Sequence, residues 1–121
     1  MDGSVVILRE PAKWSLPELA RRAAGPLRAA GATRAIAFGS YARGVADAWS
    51  DLDLAVVLDT DLPKLERSRL LEGLHDAMPV ALDLLIYTPS EFETGSAAGL
   101  DVFAALADEG KTIFPMGTER A

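Results

Sequence analysis

FGSYARGVADAWSDLDLAVVL, residues 38–58, is the stretch on which the reading of this chain turns. Gly39-Ser40 is followed, after ten residues, by Asp51-Leu52-Asp53. Carboxylates at i and i+2 of a strand project from one face, because side chains alternate with period two. Two such charges repel one another unless a cation sits between them. Gly39-Ser40 ends an apolar run, residues 33–38, and opens a short helix expected from Ser40 to near Gly44. Glycine lets backbone approach a ligand closely. The free N–H groups of a first helical turn suit an anion, and the Ser40 hydroxyl adds one donor. Arg43, one turn on, is placed to meet a phosphate oxygen. Either half alone is an ordinary turn; the two together make a phosphate-sized loop beside a metal-sized pair of acids.

The pattern extends outward in both directions. Residues 4–8 form a short apolar run, read as an edge strand. Ser15 and Glu18 have capping-box spacing, with Pro17 in the first turn, so a helix is expected from there toward Gly31. Gly25-Pro26 predicts a kink or break near residue 24. Residues 33–38 and 51–58 read as strands, the second apolar without interruption from Leu54 to Leu58. Asp61 is placed to cap a helix carrying Leu62, Leu65, Leu70, Leu71, Leu74 and Met78 as an apolar stripe, stopped by Pro79. Residues 80–86 read as a third strand and Pro89–Glu93 as a turn or short helical step. A helix is expected over Gly99–Asp108 with Gly110 just beyond its end. Lys111–Phe114 reads as a last strand and residues 115–121 as a loose tail. Strands alternating with helices predict an α/β domain with a mixed sheet flanked by helices, one domain over residues 1–121.

Asp83 is the only charge in the apolar run Val80–Ile86. An unpaired carboxylate buried in such a strand would be costly. If this strand lies beside residues 51–58, Asp83 joins Asp51 and Asp53 as a third acid. Asp59 has the same strand parity but lies roughly 20 Å from Asp53 at ~3.3 Å per residue, too far to share a site.

The chain has 121 residues, a usual single-domain size, and half of them are hydrophobic. It has no cysteine and one histidine, His75. Disulfides, thiolate zinc sites, cysteine nucleophiles and multi-histidine metal sites are thereby excluded, and any metal would be held by oxygen, as Mg²⁺ or Mn²⁺ is. The net charge of −6, with scattered Arg and Lys, argues against nucleic acid as a direct partner. No apolar run has the length of a membrane span and no signal-peptide pattern opens the chain, so a cytoplasmic location is expected.

Gly39-Ser40, ten residues, then Asp51-x-Asp53 resembles the signature of the nucleotidyltransferase superfamily related to DNA polymerase β. The fuller string, GSYARG followed by SDLDL, is similar to its minimal nucleotidyltransferase branch. Asp83, within ALDLLIYTPSEF, matches the third carboxylate of that pattern. The resemblance covers residues 33–93. It implies the polymerase β-like nucleotidyltransferase fold. It also implies that Gly39, Ser40 and Arg43 bind the triphosphate of ATP. Asp51 and Asp53 would hold two Mg²⁺ ions, with Asp83 helping to bind one and taking the proton of the attacking hydroxyl. The activity implied is adenylyl transfer, with pyrophosphate released. In prokaryotes this branch is often paired with HEPN-domain ribonuclease toxins, so the implied acceptor is a tyrosine of such a toxin, the protein acting as its antitoxin in a homo- or hetero-oligomer. Unlike larger relatives, the chain shows no second domain to hold an acceptor.

Two other classes compete: a non-catalytic module that neutralises a partner by docking, and a free-standing transferase modifying a small molecule such as an aminoglycoside. Three retained acids argue against the first, and the missing acceptor domain against the second. A haloacid-dehalogenase phosphatase would need the apolar strand before its Asp-x-Asp, not after it. No Gly-Lys-Ser/Thr follows the glycine turn, which excludes a Walker A loop. Arg69 and His75, six residues apart on a helix, do not share a face and do not make a ribonuclease pair. Trp49, next to the acids, is a candidate wall of a nucleotide pocket.

Overall fold

The computed structural model describes residues 13–115; the expected edge strand over 4–8 and most of the expected tail lie outside them. The order of elements is α1 (Leu16–Ala30), β1 (Ala32–Phe38), α2 (Ser40–Arg43), β2 (Leu52–Leu58), a 3-10 helix (Lys64–Leu71), α3 (Glu72–Ala77), β3 (Leu82–Tyr87), α4 (Pro89–Ala98), α5 (Asp101–Glu109) and β4 (Lys111–Phe114). The four strands lie in the order β3-β2-β1-β4. β1 is antiparallel to both β2 and β4, whereas β2 and β3 are parallel. The sheet is therefore mixed, as the sequence predicts.

Alternation along the strands gives the sheet two covered faces. Ala35, Ala37, Leu52, Leu54, Val56 and Leu58 pack on one side against Leu19, Ala23 and Leu27 of α1 and Leu71, Leu74 and Met78. Ile36, Ala55 and Tyr87 pack on the other against Phe103 and Leu106 of α5, with Phe92 of α4 alongside. Burial on both faces explains the unbroken apolar half of β2.

α1 opens on the expected capping box. Glu18 N–H donates to Ser15 Oγ at 3.2 Å, and Ser15 N–H donates to Glu18 Oε1 at 2.9 Å. The expected break near residue 24 does not occur; Pro26 lies inside one uninterrupted helix. Proline costs a helix one hydrogen bond and some crowding. Burial of Leu19, Ala20, Ala23 and Leu27 along one stripe offsets that here.

Three further expectations change. Asp61 caps nothing. The segment after Pro63 begins as 3-10 helix without a side-chain cap and becomes α-helix only at Glu72. Three residues per turn rotate the apolar stripe out of line, so Leu71 and Leu74 are buried while Leu65 is 97% exposed. Of the turn or short helical step expected at Pro89–Glu93, the helix is what forms, and it runs on to Ala98 from a second capping box made by Thr88 and Glu91. Gly110 does follow a helix, yet its φ is −64°, not left-handed. It is glycine for space, because a Cβ there would meet the Leu106 carbonyl and Ile36.

Candidate active site

β1 runs antiparallel to β2, and β2 parallel to β3. The C-terminal end of β1 therefore meets the N-terminal ends of β2 and β3 at one rim of the sheet. Phe38 pairs with Asp53, and Asp53 pairs in turn with Asp83. Parallel register places Asp53 and Asp83 on the same face as adjacent neighbours, the face covered by α4 and α5. Asp51 lies just before β2, where Leu52 N–H donates to the Ala81 carbonyl at 2.9 Å and ties the starts of the two strands together.

Asp53 is partly buried, whereas Asp51 and Asp83 are exposed. Asp83, on the outer strand β3, faces solvent and so avoids the cost of an unpaired buried carboxylate. Burial pushes the Asp53 carboxyl above its ordinary range, the charges of Asp83 and Asp51 and a hydrogen bond with Asp83 push the same way, and Arg43 pulls it back. Among the described residues no group of three or more acids or histidines is drawn together tightly enough to hold a metal ion as it stands. The repulsion felt at Asp53 is what a divalent cation would relieve. An all-oxygen donor set of this kind suits Mg²⁺.

Gly39 has φ 73° and ψ −152°, a conformation costly for any residue with a Cβ. A Cβ at this position would also run into Oδ2 of Asp53. The turn and the acid are thus fitted against each other. α2 is a single turn, closed by Gly44 at φ 77°. A helix of one turn has little dipole, so individual N–H groups and the Ser40 hydroxyl are the donors available. Arg43 points its Nη1 at Oε2 of Glu109, 3.2 Å away, and Gly39 N–H donates to the same oxygen at 2.7 Å.

Two residues that the sequence reading passed over shape this rim. Asp47 accepts from Trp49 N–H at 2.9 Å and from Ser50 Oγ at 3.0 Å, while its own N–H donates to Ser50 Oγ. These bonds hold its carboxyl below the ordinary range. They close the loop immediately before Asp51. The Asp-x-x-Ser spacing is a turn signal readable in the sequence. The second is Glu109, for which no local signal exists, because its partners lie about seventy positions earlier in the chain.

A cavity of about 210 Å³ opens beside Asp51, with Trp14, Trp49 and Val80 among its walls. Trp49 is 72% exposed. His75 is exposed on α3.

Residues 26–111 match the profile of the nucleotidyltransferase domain. The chain belongs to that family. No curated protein matches the sequence. Solved structures share the fold. One is a toxin–antitoxin complex with AMP-PNP, 22% identical, TM-score 0.59, the alignment covering 83% of this chain and 76% of that one. A second is the complex of tri-AMPylated Shewanella oneidensis HEPN toxin with MNT antitoxin, 19% identical, TM-score 0.52, covering 87% and 75%. A third is a mutant MntA–HpeT toxin–antitoxin complex, 20% identical, TM-score 0.52, covering 78% and 71%. At these identities the likeness is one of fold. This nucleotidyltransferase domain has the mixed sheet and flanking helices expected from the sequence. Among the described residues no helix is long and apolar enough to cross a membrane.

Proposed function

We propose that this nucleotidyltransferase transfers AMP from ATP to a tyrosine hydroxyl of a HEPN-type toxin and thereby acts as its antitoxin. The observation that carries the reading is the register that sets Asp53 beside Asp83 and directly against the Gly39 turn. The family match supports nucleotidyl transfer. The relatives in fold, solved with AMP-PNP in one case and with an AMPylated HEPN toxin in another, support the donor and the acceptor.

In this reading the Ser40 hydroxyl and Arg43 bind the β- and γ-phosphates, and the Gly39 turn, its own N–H taken by Glu109, lets them approach closely. Asp51, Asp53 and Asp83 would hold Mg²⁺, as two ions, which neutralise the charge that builds up on the phosphates. Phosphates held at the Gly39 turn, at the end of β1, would put the leaving pyrophosphate on that side and the attacking hydroxyl toward Asp83 on β3. The tyrosine oxygen bonds to the α-phosphorus, the bond from that phosphorus to the bridging oxygen breaks, and the phenolic proton passes to Asp83. The exposure of Asp83 leaves it reachable by a hydroxyl carried on another protein.

The test is transfer of label from α-labelled ATP with Mg²⁺ to a HEPN-type protein encoded beside this chain. Label is expected on the partner with the wild type and absent with Asp53→Asn. Neutralisation of the toxin by Asp51→Asn and Asp53→Asn as complete as by the wild type would overturn catalysis as the mechanism.

A further inference from the structure

Glu109 ends α5, and its carboxylate takes two partners from a segment far away in sequence. Gly39 N–H donates to Oε2 at 2.7 Å; Arg43 Nη1 reaches Oε2 at 3.2 Å and Oε1 at 3.4 Å. The Glu109 side chain is 21% exposed, that of Arg43 52%. Charge-assisted bonds from a backbone N–H and a guanidinium to one carboxylate are among the stronger protein hydrogen bonds.

The two ends of this contact differ in firmness. α5 is held against the sheet by Phe103 and Leu106. Its end is clamped where Gly110 N–H donates to the Leu106 carbonyl at 3.0 Å and Gly110 packs tightly on Ile36. The segment Gly39–Gly44 has a glycine of positive φ at each end and a single helical turn between them. Glycine carries the largest backbone freedom of any residue, so this segment relies on outside contacts to keep one shape. Glu109 supplies such a contact at both Gly39 and Arg43, and Ser40 is not among its partners.

From this geometry we infer that Glu109 is a positioning residue for nucleotide binding: it holds the Gly39 backbone and the Arg43 side chain in the arrangement that receives the triphosphate. The inference rests on the nucleotide reading above. Among the described residues the hydrogen bonds of the Glu109 carboxylate go to Gly39 and Arg43, so it acts through them. It makes affinity for ATP depend on how α5 docks on β1.

The experiment compares wild type, Glu109→Gln and Glu109→Ala. Binding of Mg²⁺–AMP-PNP is measured by calorimetry below each variant's unfolding temperature, and the Gly39 amide is followed by NMR. Glutamine keeps an oxygen for Gly39 but loses the charge facing Arg43, so affinity falls roughly threefold. Alanine loses both contacts, so affinity falls roughly tenfold or more and the Gly39 amide signal moves before any nucleotide is added. In the transfer assay the KM for ATP rises while kcat and the KM for the acceptor stay within about twofold, a split that a general loss of packing would not give. If alanine unfolds the domain, the glutamine variant decides. Unchanged affinity in folded variants overturns the positioning role while leaving the nucleotide reading standing. Tighter binding overturns it too, since Glu109 would then be competing with phosphate. Failure of the wild type to bind nucleotide overturns the nucleotide reading itself.

Discussion

Gly39 and Asp53 are packed so closely that a methyl group on the glycine would occupy the place of the aspartate's Oδ2. The contact follows from the antiparallel register, which sets Phe38 opposite Asp53. It couples the shape of the turn to the position of the acid. Gly39→Ala therefore costs stability twice, through its φ of 73° and through the collision. We expect a loss of about 2 kcal/mol or more in urea unfolding, with transfer activity reduced by at least about 100-fold, as misplacement of reacting groups typically does. Gly44→Ala, which has a similar φ but open space around its Cβ, should cost only about 1 kcal/mol and serves as the control.

Asp53→Asn separates stability from activity. The wild-type carboxylate is held above its ordinary pKa by burial first and by Asp83 and Asp51 next, so its charge opposes folding at neutral pH. Removing the charge should raise Tm by about 2–5 °C while abolishing transfer. Adding Mg²⁺ should raise Tm for the wild type and leave the variant nearly unchanged. Calorimetric scans with and without Mg²⁺ check both statements. A drop in Tm for Asp53→Asn would show that the acids do not repel as described.

Arg67 is the one buried charge among the described residues, 6% exposed. Its Nε donates to the Leu62 carbonyl at 2.9 Å. Its Nη1 donates to the Ile86 carbonyl at 3.1 Å, and both terminal nitrogens pair with Glu91 at 2.6 and 3.1 Å. This side chain fastens the 3-10 helix to the end of β3 and the start of α4. Arg67→Ala strands two carbonyls and a carboxylate and should cost about 3 kcal/mol. Chemical unfolding monitored by circular dichroism reads it directly.

The same pair sets an acid limb of stability. Glu91 is held at a pKa of about 2, against 4.5 for a free glutamate, by the Arg67 hydrogen bonds first and the Thr88 N–H next. A depressed carboxylate stabilises the fold fully above its unfolded pKa, and that contribution drains away as pH falls from about 4.5 toward 2. Asp53 has the opposite sign. Its raised pKa means the native state takes up the proton first, so acidification through its range relieves a cost. Unfolding free energy measured from pH 6 to pH 3 should fall more gently in Glu91→Gln than in the wild type, and more steeply in Asp53→Asn.

Trp49→Ala should leave stability within about 0.5 kcal/mol, because the ring is largely exposed. If the cavity beside Asp51 receives part of a substrate, the variant raises a KM and leaves Tm in place. Steady-state kinetics with ATP and with the acceptor varied in turn tell which substrate the ring meets.

How far the sequence reads depends on how local each cause is. β1, α2, β2 and β4 are spelled by apolar runs and punctuating glycines within a few residues, and they stand close to where the sequence puts them. Asp53 and Asp83 could be paired on paper because strand parity is local and only their adjacency had to be supposed. The missed features had causes at a distance. α1 survives Pro26 because of the sheet it covers. The 3-10 segment after Pro63 departs from the leucine stripe because Arg67 anchors it to the Ile86 carbonyl and Glu91, about twenty residues on. Glu109 carries no signal in its own neighbourhood. Thr88 and Glu91 are the exception: their capping-box spacing is local, yet the helix they start runs well past the Pro89–Glu93 step expected there.

The mixed strand directions leave the opposite rim of the sheet with no part in this chemistry. There β2 ends at Leu58 beside the start of β1, and Asp59, Asp61 and Pro63 are exposed in the loop that follows. A fluorophore, an affinity handle or a surface tether attached at Asp59 or Asp61 would sit roughly 20 Å from Asp53, judging by the rise along the strand. It would leave the acids, the glycine turn and the β3 edge open to nucleotide and partner alike. For anyone who needs to immobilise or watch this molecule while it works, that loop is the handle.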